Sequence, residues 1–183
     1  LREERRLQSD LGARGRPGGL LRFVEYFWHV LEPNGKLIID MQMEAICLHL
    51  ESVARGEIKR LLINVSPGAS KSMLVNVFLP AWLWGPANKP ELRFVTFAYA
   101  AYLTERDNIR FRDITRSPEY QELWSAAFTL TADGQVKPTN DCKGWKFSSS
   151  MLGVGTGERG DYLLADDLHN VVEGESEPVR TKT

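Results

Sequence analysis

Apolar residues recur at helical spacing over 20–31 (Leu20, Phe23, Val24, Phe27, Trp28, Leu31), and Pro33-Asn34-Gly35 closes the run. The same period predicts a helix over 41–55. Met43, Ile46, Cys47, Leu50 and Val53 face inward there, with Gly56 just past the end. Residues 58–65 form a compact apolar run that reads as a buried strand. A helix follows over 71–84. Its Leu74, Val75 and Phe78 are placed to pack on a sheet, and Pro80 bends its last part. Residues 92–98 read as a second strand, 100–116 as a long helix stopped by Ser117-Pro118, and 119–124 as a short helix. Beyond these, 128–131 and 135–137 suit a hairpin about Asp133-Gly134, and 144–150 suit a strand. Residues 153–160 make a glycine-rich loop, and 162–165 a compact strand followed at once by Asp166 and Asp167. Strands alternating with helices imply an α/β fold with a parallel sheet covered on both faces.

Composition narrows the class. At 183 residues the chain is long enough for one domain with a real core. A net charge of −1 means that any nucleic-acid contact rests on a local patch and not on bulk charge. Basic residues gather at Arg2, Arg5, Arg6, Arg14 and Arg16, and again between Arg106 and Arg116, where the competing reading is a solvated face. Residues 1–19 read as a flexible basic arm and 20–183 as the folded domain. The two cysteines, Cys47 and Cys142, form no C-x-x-C pair. Cys47 and His49 point to different faces of their helix and read as core and surface residues. Such cysteine usage fits a reducing cytoplasm. No signal peptide or membrane span is read. The opening at Leu1 and the polar 173–183 stretch read as a fragment of a longer protein.

The chemistry concentrates in Leu61-Leu62-Ile63-Asn64-Val65-Ser66-Pro67-Gly68-Ala69-Ser70-Lys71-Ser72. An apolar run ends in a small-residue loop, and the loop ends in Lys-Ser. This is the layout of a phosphate cradle. Backbone N–H groups of the turn point at phosphate oxygens, a lysine reaches the outer phosphates, and a serine hydroxyl ligates Mg²⁺. The pattern departs from G-x-x-x-x-G-K-[ST], because Val65 and Ser70 stand where glycines belong. The plainer alternative is a strand, a turn and a helix, with Lys71 and Ser72 as ordinary first-turn residues. A cation in a first helical turn is unfavourable, however, unless an anion joins it.

Asp161-Tyr162-Leu163-Leu164-Ala165-Asp166-Asp167 is the complementary signal. Ligands of parallel sheets sit at the carboxyl ends of strands. One carboxylate there holds the metal, and its neighbour orients or deprotonates the attacking water. Adjacent strand residues point to opposite faces, so the two acids take different work. Together the segments predict a P-loop nucleoside triphosphatase using Mg²⁺.

With these residues in view, the chain resembles the ATPase part of phage terminase large subunits, the DNA-packaging motors. The carrying stretches are Phe23-Val24-Glu25-Tyr26-Phe27-Trp28, the run from Glu44 to Val53, Arg55-Gly56-Glu57-Ile58, the loop Ser66 to Ser72, Phe78-Leu79-Pro80-Ala81-Trp82, Ser117-Pro118-Glu119-Tyr120, and Gly153 to Gly160 leading into Asp166-Asp167. The resemblance implies a P-loop, three-layer, mostly parallel fold, with the domain cut short before its coupling segment and nuclease. It makes ATP the nucleotide and gives Lys71 the outer phosphates, Ser72 and Asp166 the Mg²⁺, and Asp167 the attacking water. Ser66, Pro67, Gly68, Ala69 and Ser70 would line the cradle, and Gln42 would read an adenine edge. Arg159 and Arg110 are the candidate stimulatory arginines. The resemblance further implies double-stranded DNA held by its phosphates, a portal protein and a small terminase subunit as partners, a homo-oligomeric ring, and the cytoplasm of a bacterial host. A helicase-like motor and a prophage remnant without turnover remain as rivals.

Overall fold

The computed structural model describes residues 19–132, 134–150 and 157–168. The basic arm expected over 1–19 lies outside them except for Gly19, and so do Gly153–Thr156 of the glycine-rich loop. The first helix, α1 (Gly19–Leu31), buries Leu20, Phe23, Val24 and Phe27, as its periodicity predicts. It has no acidic residue in its own first turn. Glu51 of the second helix, α2 (Met41–Ala54), supplies the missing acceptor instead, taking the Leu20 N–H at 2.7 Å. Burial pushes the Glu51 carboxyl up, while the Leu20 N–H and Arg55 pull it back. α2 carries its own cap, with Asp40 accepting the Met43 N–H at 2.8 Å.

Residues 58–65 are the first correction. They join no strand of the sheet. Leu61, Ile63 and Val65 pack against the core, while Lys59, Arg60, Leu62 and Asn64 are exposed. The run is therefore one-faced, and its charged and polar positions suit a surface chain better than a strand buried on both sides.

The helix expected over 71–84 is present as three consecutive segments: α3 (Lys71–Met73), a π-helical turn π1 (Leu74–Phe78), and α4 (Leu79–Trp84). The Leu79 N–H reaches back five residues to the Leu74 carbonyl. Pro80 follows directly and has no N–H to offer, so the regular ladder fails here and the wider turn takes its place.

The sheet is built from β1 (Arg93–Ala98), β2 (Leu130–Ala132), β3 (Thr139–Asn140), β4 (Trp145–Ser150) and β5 (Tyr162–Ala165), in the order β2-β3-β4-β1-β5. Two helices follow β1 in sequence, α5 (Ala101–Arg116) and α6 (Pro118–Trp124). The architecture is α/β. The sheet is mixed rather than mostly parallel: β4, β1 and β5 run parallel, and β2 and β3 add an antiparallel edge. Gly160 admits β5 to its place, since a Cβ there would lie 2.8 Å from the Val95 side chain. Among the described residues, no helix is long and apolar enough to cross a membrane.

One face of the sheet meets the helices. Trp84 packs edge-on against Phe111 and Phe128 and lies near Phe94 of β1. Phe23, Phe27, Tyr120 and Trp124 join α1 to α6, and the buried Tyr120 hydroxyl donates to the Ala81 carbonyl at 2.8 Å. Each such ring contributes roughly 1.5–3 kcal/mol by leaving water. The same face also holds polar groups. The Ser148 hydroxyl donates to the Thr104 carbonyl at 3.0 Å, and the Lys146 ammonium donates to Asn108 Oδ1.

Lys146 is fully buried, and burial pulls its ammonium down to about 7 against the opposing charge of Asp107. An unfolded chain holds that proton up to the ordinary 10.5. Between those values the unfolded state binds more protons, so stability rises with pH, by up to about 1.4 kcal/mol per unit from this group. Urea midpoints at pH 7.5 and 9.5 should therefore rise more in the wild type than in Lys146→Met, whose missing ammonium removes that slope.

Candidate functional site

The segment before α3 is a loop in which Ser66, Pro67 and Gly68 are exposed and Ala69 and Ser70 half-buried. Gly68 takes φ +90°, and Ser70 takes the left-handed region at φ 55°, so the chain reverses tightly before it enters the helix. Ser70 makes no side-chain cap. The N–H groups of the first helical turn have no partner within the helix and are the ones an anion can use.

Across from this loop, β5 ends in Asp166 and Asp167. The Asp166 N–H donates to the Phe97 carbonyl at 2.9 Å, which keeps Asp166 in line with the sheet. Asp167 turns out of line at φ 43°, and its carbonyl accepts the Tyr99 N–H at 3.0 Å. An aspartate tolerates this conformation better than a branched residue does. The turn leaves Asp166 buried and Asp167 exposed.

Lys71 joins the two elements. Its Nζ lies 2.8 Å from Asp166 Oδ1 and 2.9 Å from Asp167 Oδ1, although 96 positions separate it from Asp167. Burial disfavours the ammonium, but the hydrogen bonds to Asp166 and Asp167 outweigh that and raise its pKa. Lys71, Asp166 and Asp167 are thus gathered at one end of the sheet, and Ser72 follows Lys71 in the first turn of α3.

The remaining expected site residues fall elsewhere. Gln42 is exposed in the first turn of α2 and does not line the cleft that opens beside Lys71. Arg159 is exposed ahead of β5. Arg110 turns toward Glu32, with 3.8 Å between guanidinium and carboxylate. Arg106, one helical turn earlier on α5, forms a 3.0 Å bond to Asp107 Oδ1 behind the site. Cys47 is buried and His49 exposed. Burial, assisted by the charge on Glu51, pushes the Cys47 thiol up to about 12.

Three residues went unread in the sequence. Asn76 and Asp107 lie buried behind Asp166: the Asn76 amide nitrogen is 3.1 Å from Asp107 Oδ2 and 3.4 Å from Asp166 Oδ2. Tyr99 stands beside Asp167, its hydroxyl 3.2 Å from that of Tyr102. A polar residue inside an otherwise apolar helical face, as Asn76 is between Val75 and Val77, was the available signal.

The cleft measures about 800 Å³. Residues of the 58–63 chain and of β5 line it, together with Lys71 and Asp166. Among the described residues, no three His, Cys, Asp or Glu side chains cluster as a metal cage. A hydroxyl and a carboxylate with the rest of the shell left to phosphate and water is a set that suits Mg²⁺. Comparison with protein-family models, curated proteins and solved structures found no match to this chain.

The Lys71 pairing has a measurable consequence. A raised ammonium pKa contributes stability that is fully present below the unfolded value of 10.5 and is lost as pH climbs through the folded one. Asp167 is 64% exposed, so water screens that half of the interaction. Lys71→Met should cost roughly 1–2 kcal/mol in urea denaturation at pH 7. The deficit should shrink in strongly alkaline solution.

Proposed function

We propose that this chain is the ATPase part of a phage or prophage terminase large subunit, hydrolysing ATP to drive double-stranded DNA into a procapsid. On this reading the α/β architecture is an incomplete P-loop, three-layer ATPase domain. DNA is held by its phosphates. A portal protein, a small terminase subunit and further copies in a ring are the partners, in the cytoplasm of a bacterial host. The observation that carries the reading is the bridging of Asp166 and Asp167 by Lys71. A lysine at the end of a small-residue loop meets two carboxylates at the end of a strand, where a triphosphate needs all three.

The chemistry follows from an exchange of partners. In the unliganded protein the Lys71 ammonium bridges both acids. The outer phosphates of ATP carry more charge and draw it away, while the N–H groups of Gly68, Ala69 and Ser70 take phosphate oxygens. Both carboxylates are thereby released for work. Asp166 and Ser72 would hold Mg²⁺, which would neutralise charge on the phosphate oxygens. Asp167, which is exposed, would orient a water and accept its proton as the oxygen attacks the γ-phosphorus. The bond to the bridging β–γ oxygen breaks, and ADP leaves with that electron pair. Arg159 is the exposed candidate to stabilise the transferring group, and Arg110 would first have to leave Glu32.

One observation favours a second reading, a site that binds nucleotide without turning it over. Residues 58–65 lead to the loop from outside the sheet, which leaves the cradle less firmly held than a strand would.

Phosphate release and nucleotide binding by the whole chain separate these readings. Lys71→Ala is expected to abolish both. Asp167→Asn is expected to keep binding and to slow hydrolysis by about 100-fold or more. Nucleotide binding with equally negligible rates in wild type and Lys71→Ala would favour the second reading. Full-strength binding by Lys71→Ala would remove the cradle assignment.

A further inference from the structure

Behind Asp166 a chain of polar contacts runs away from the cradle. Asn76 sits in π1, 1% exposed, and its amide nitrogen reaches both Asp166 Oδ2 and Asp107 Oδ2. The other oxygen of Asp166 faces Lys71. The other oxygen of Asp107 accepts two bonds from the Arg106 guanidinium, at 3.0 and 3.2 Å. Asp107 is itself 2% exposed, whereas Arg106 opens to solvent. The order of contact is therefore Lys71, Asp166, Asn76, Asp107, Arg106.

The Asn76 amide oxygen has no hydrogen-bond partner among the described residues. An unpaired buried carbonyl is a cost that an apolar residue of similar size would avoid. The position repays it through the nitrogen, whose two hydrogens can serve two carboxylates at once. The π turn puts that nitrogen between β5 and α5, against which π1 packs.

We propose that Asn76 is the positioning residue of the metal-side acid. It holds Asp166 Oδ2, so that Oδ1 alone is presented to whatever replaces the Lys71 ammonium. Asp107 and Arg106 brace it from behind. This rests on the nucleotide reading above and adds to it a support that sets Mg²⁺ affinity without touching nucleotide. Such groups behind a ligating carboxylate typically govern metal affinity by about 10–100-fold.

The test is calorimetric titration of the whole chain with adenylyl imidodiphosphate, a non-hydrolysable ATP analogue, in Mg²⁺ and in EDTA. The wild type should bind more tightly in Mg²⁺. Asn76→Asp keeps the size but replaces the donor by a third carboxylate. It should bind within about twofold of wild type in EDTA and lose about tenfold or more of the Mg²⁺-dependent gain. Arg106→Gln lies at the solvent end and leaves the core intact. It should lose part of the same gain, and it decides the matter if Asn76→Asp fails to fold by circular dichroism. A merely structural role would lower thermal stability and leave the ratio of the two affinities unchanged in the folded variants, which would overturn the proposal. Wild type that binds the analogue in neither condition would overturn the nucleotide reading itself, and this inference with it.

Discussion

Two carboxylates, those of Asp166 and Asp107, lie almost out of reach of water on the helix-covered side of the sheet. A buried charge has to be paired and hydrogen-bonded where it sits. Lys71 and Asn76 meet this demand for Asp166, and Asn76 and Arg106 meet it for Asp107. The donors come from three places in the chain: the first turn after the loop, the π turn, and α5. Satisfying the two acids therefore fixes how the 71–84 helix lies between β5 and α5. The apolar packing of Trp84, Phe94 and Phe111 fills the volume around this arrangement but does not by itself choose its register.

Lys71 has a double character in this setting. In the unliganded protein it is a structural cation that keeps two neighbouring acids from repelling each other. On the proposed function it is also the group that a triphosphate takes. Loading the site then costs the fold one ion pair, which the incoming charges have to replace. The exposed, left-handed Asp167 is the less constrained of the two acids. The buried Asp166 is the one with a second support, and that division of labour matches one acid held still for a metal and one left accessible to water.

Much of the fold was legible because periodicity and punctuation agree. The helices at Gly19–Leu31, Met41–Ala54 and Ala101–Arg116 and the strands at Arg93–Ala98 and Tyr162–Ala165 fall within a residue or two of where apolar spacing, Pro118 and the Asp166-Asp167 pair put them. Residues 58–65 misled because an apolar run reports burial and not pairing. Leu61, Ile63 and Val65 satisfy their burial against the core without a ladder partner. The antiparallel edge was only partly legible: the local pattern predicts a hairpin of 128–131 with 135–137, whereas Leu130–Ala132 pairs with Thr139–Asn140, farther along the chain. At the site, Lys71 and the two acids stand out as a charged residue after a small-residue loop and an acidic pair after an apolar run. Asn76 and Asp107 do not, since their meaning comes from contacts 31 and 90 positions apart.

The wider turn at Leu74–Phe78 makes the helix count residues rather than merely tolerate them. Side chains advance by roughly 100° per position in a regular helix. Removing one residue between Met73 and Leu79 would restore ordinary winding and swing either the loop end or the tryptophan end by that angle. Asn76 would then face away from the acids, or Trp84 away from its ring partners. Evolution can exchange apolar side chains along this stretch with some freedom, but its length is pinned, because a one-residue indel would break the link between the acidic rim at Asp166 and the core.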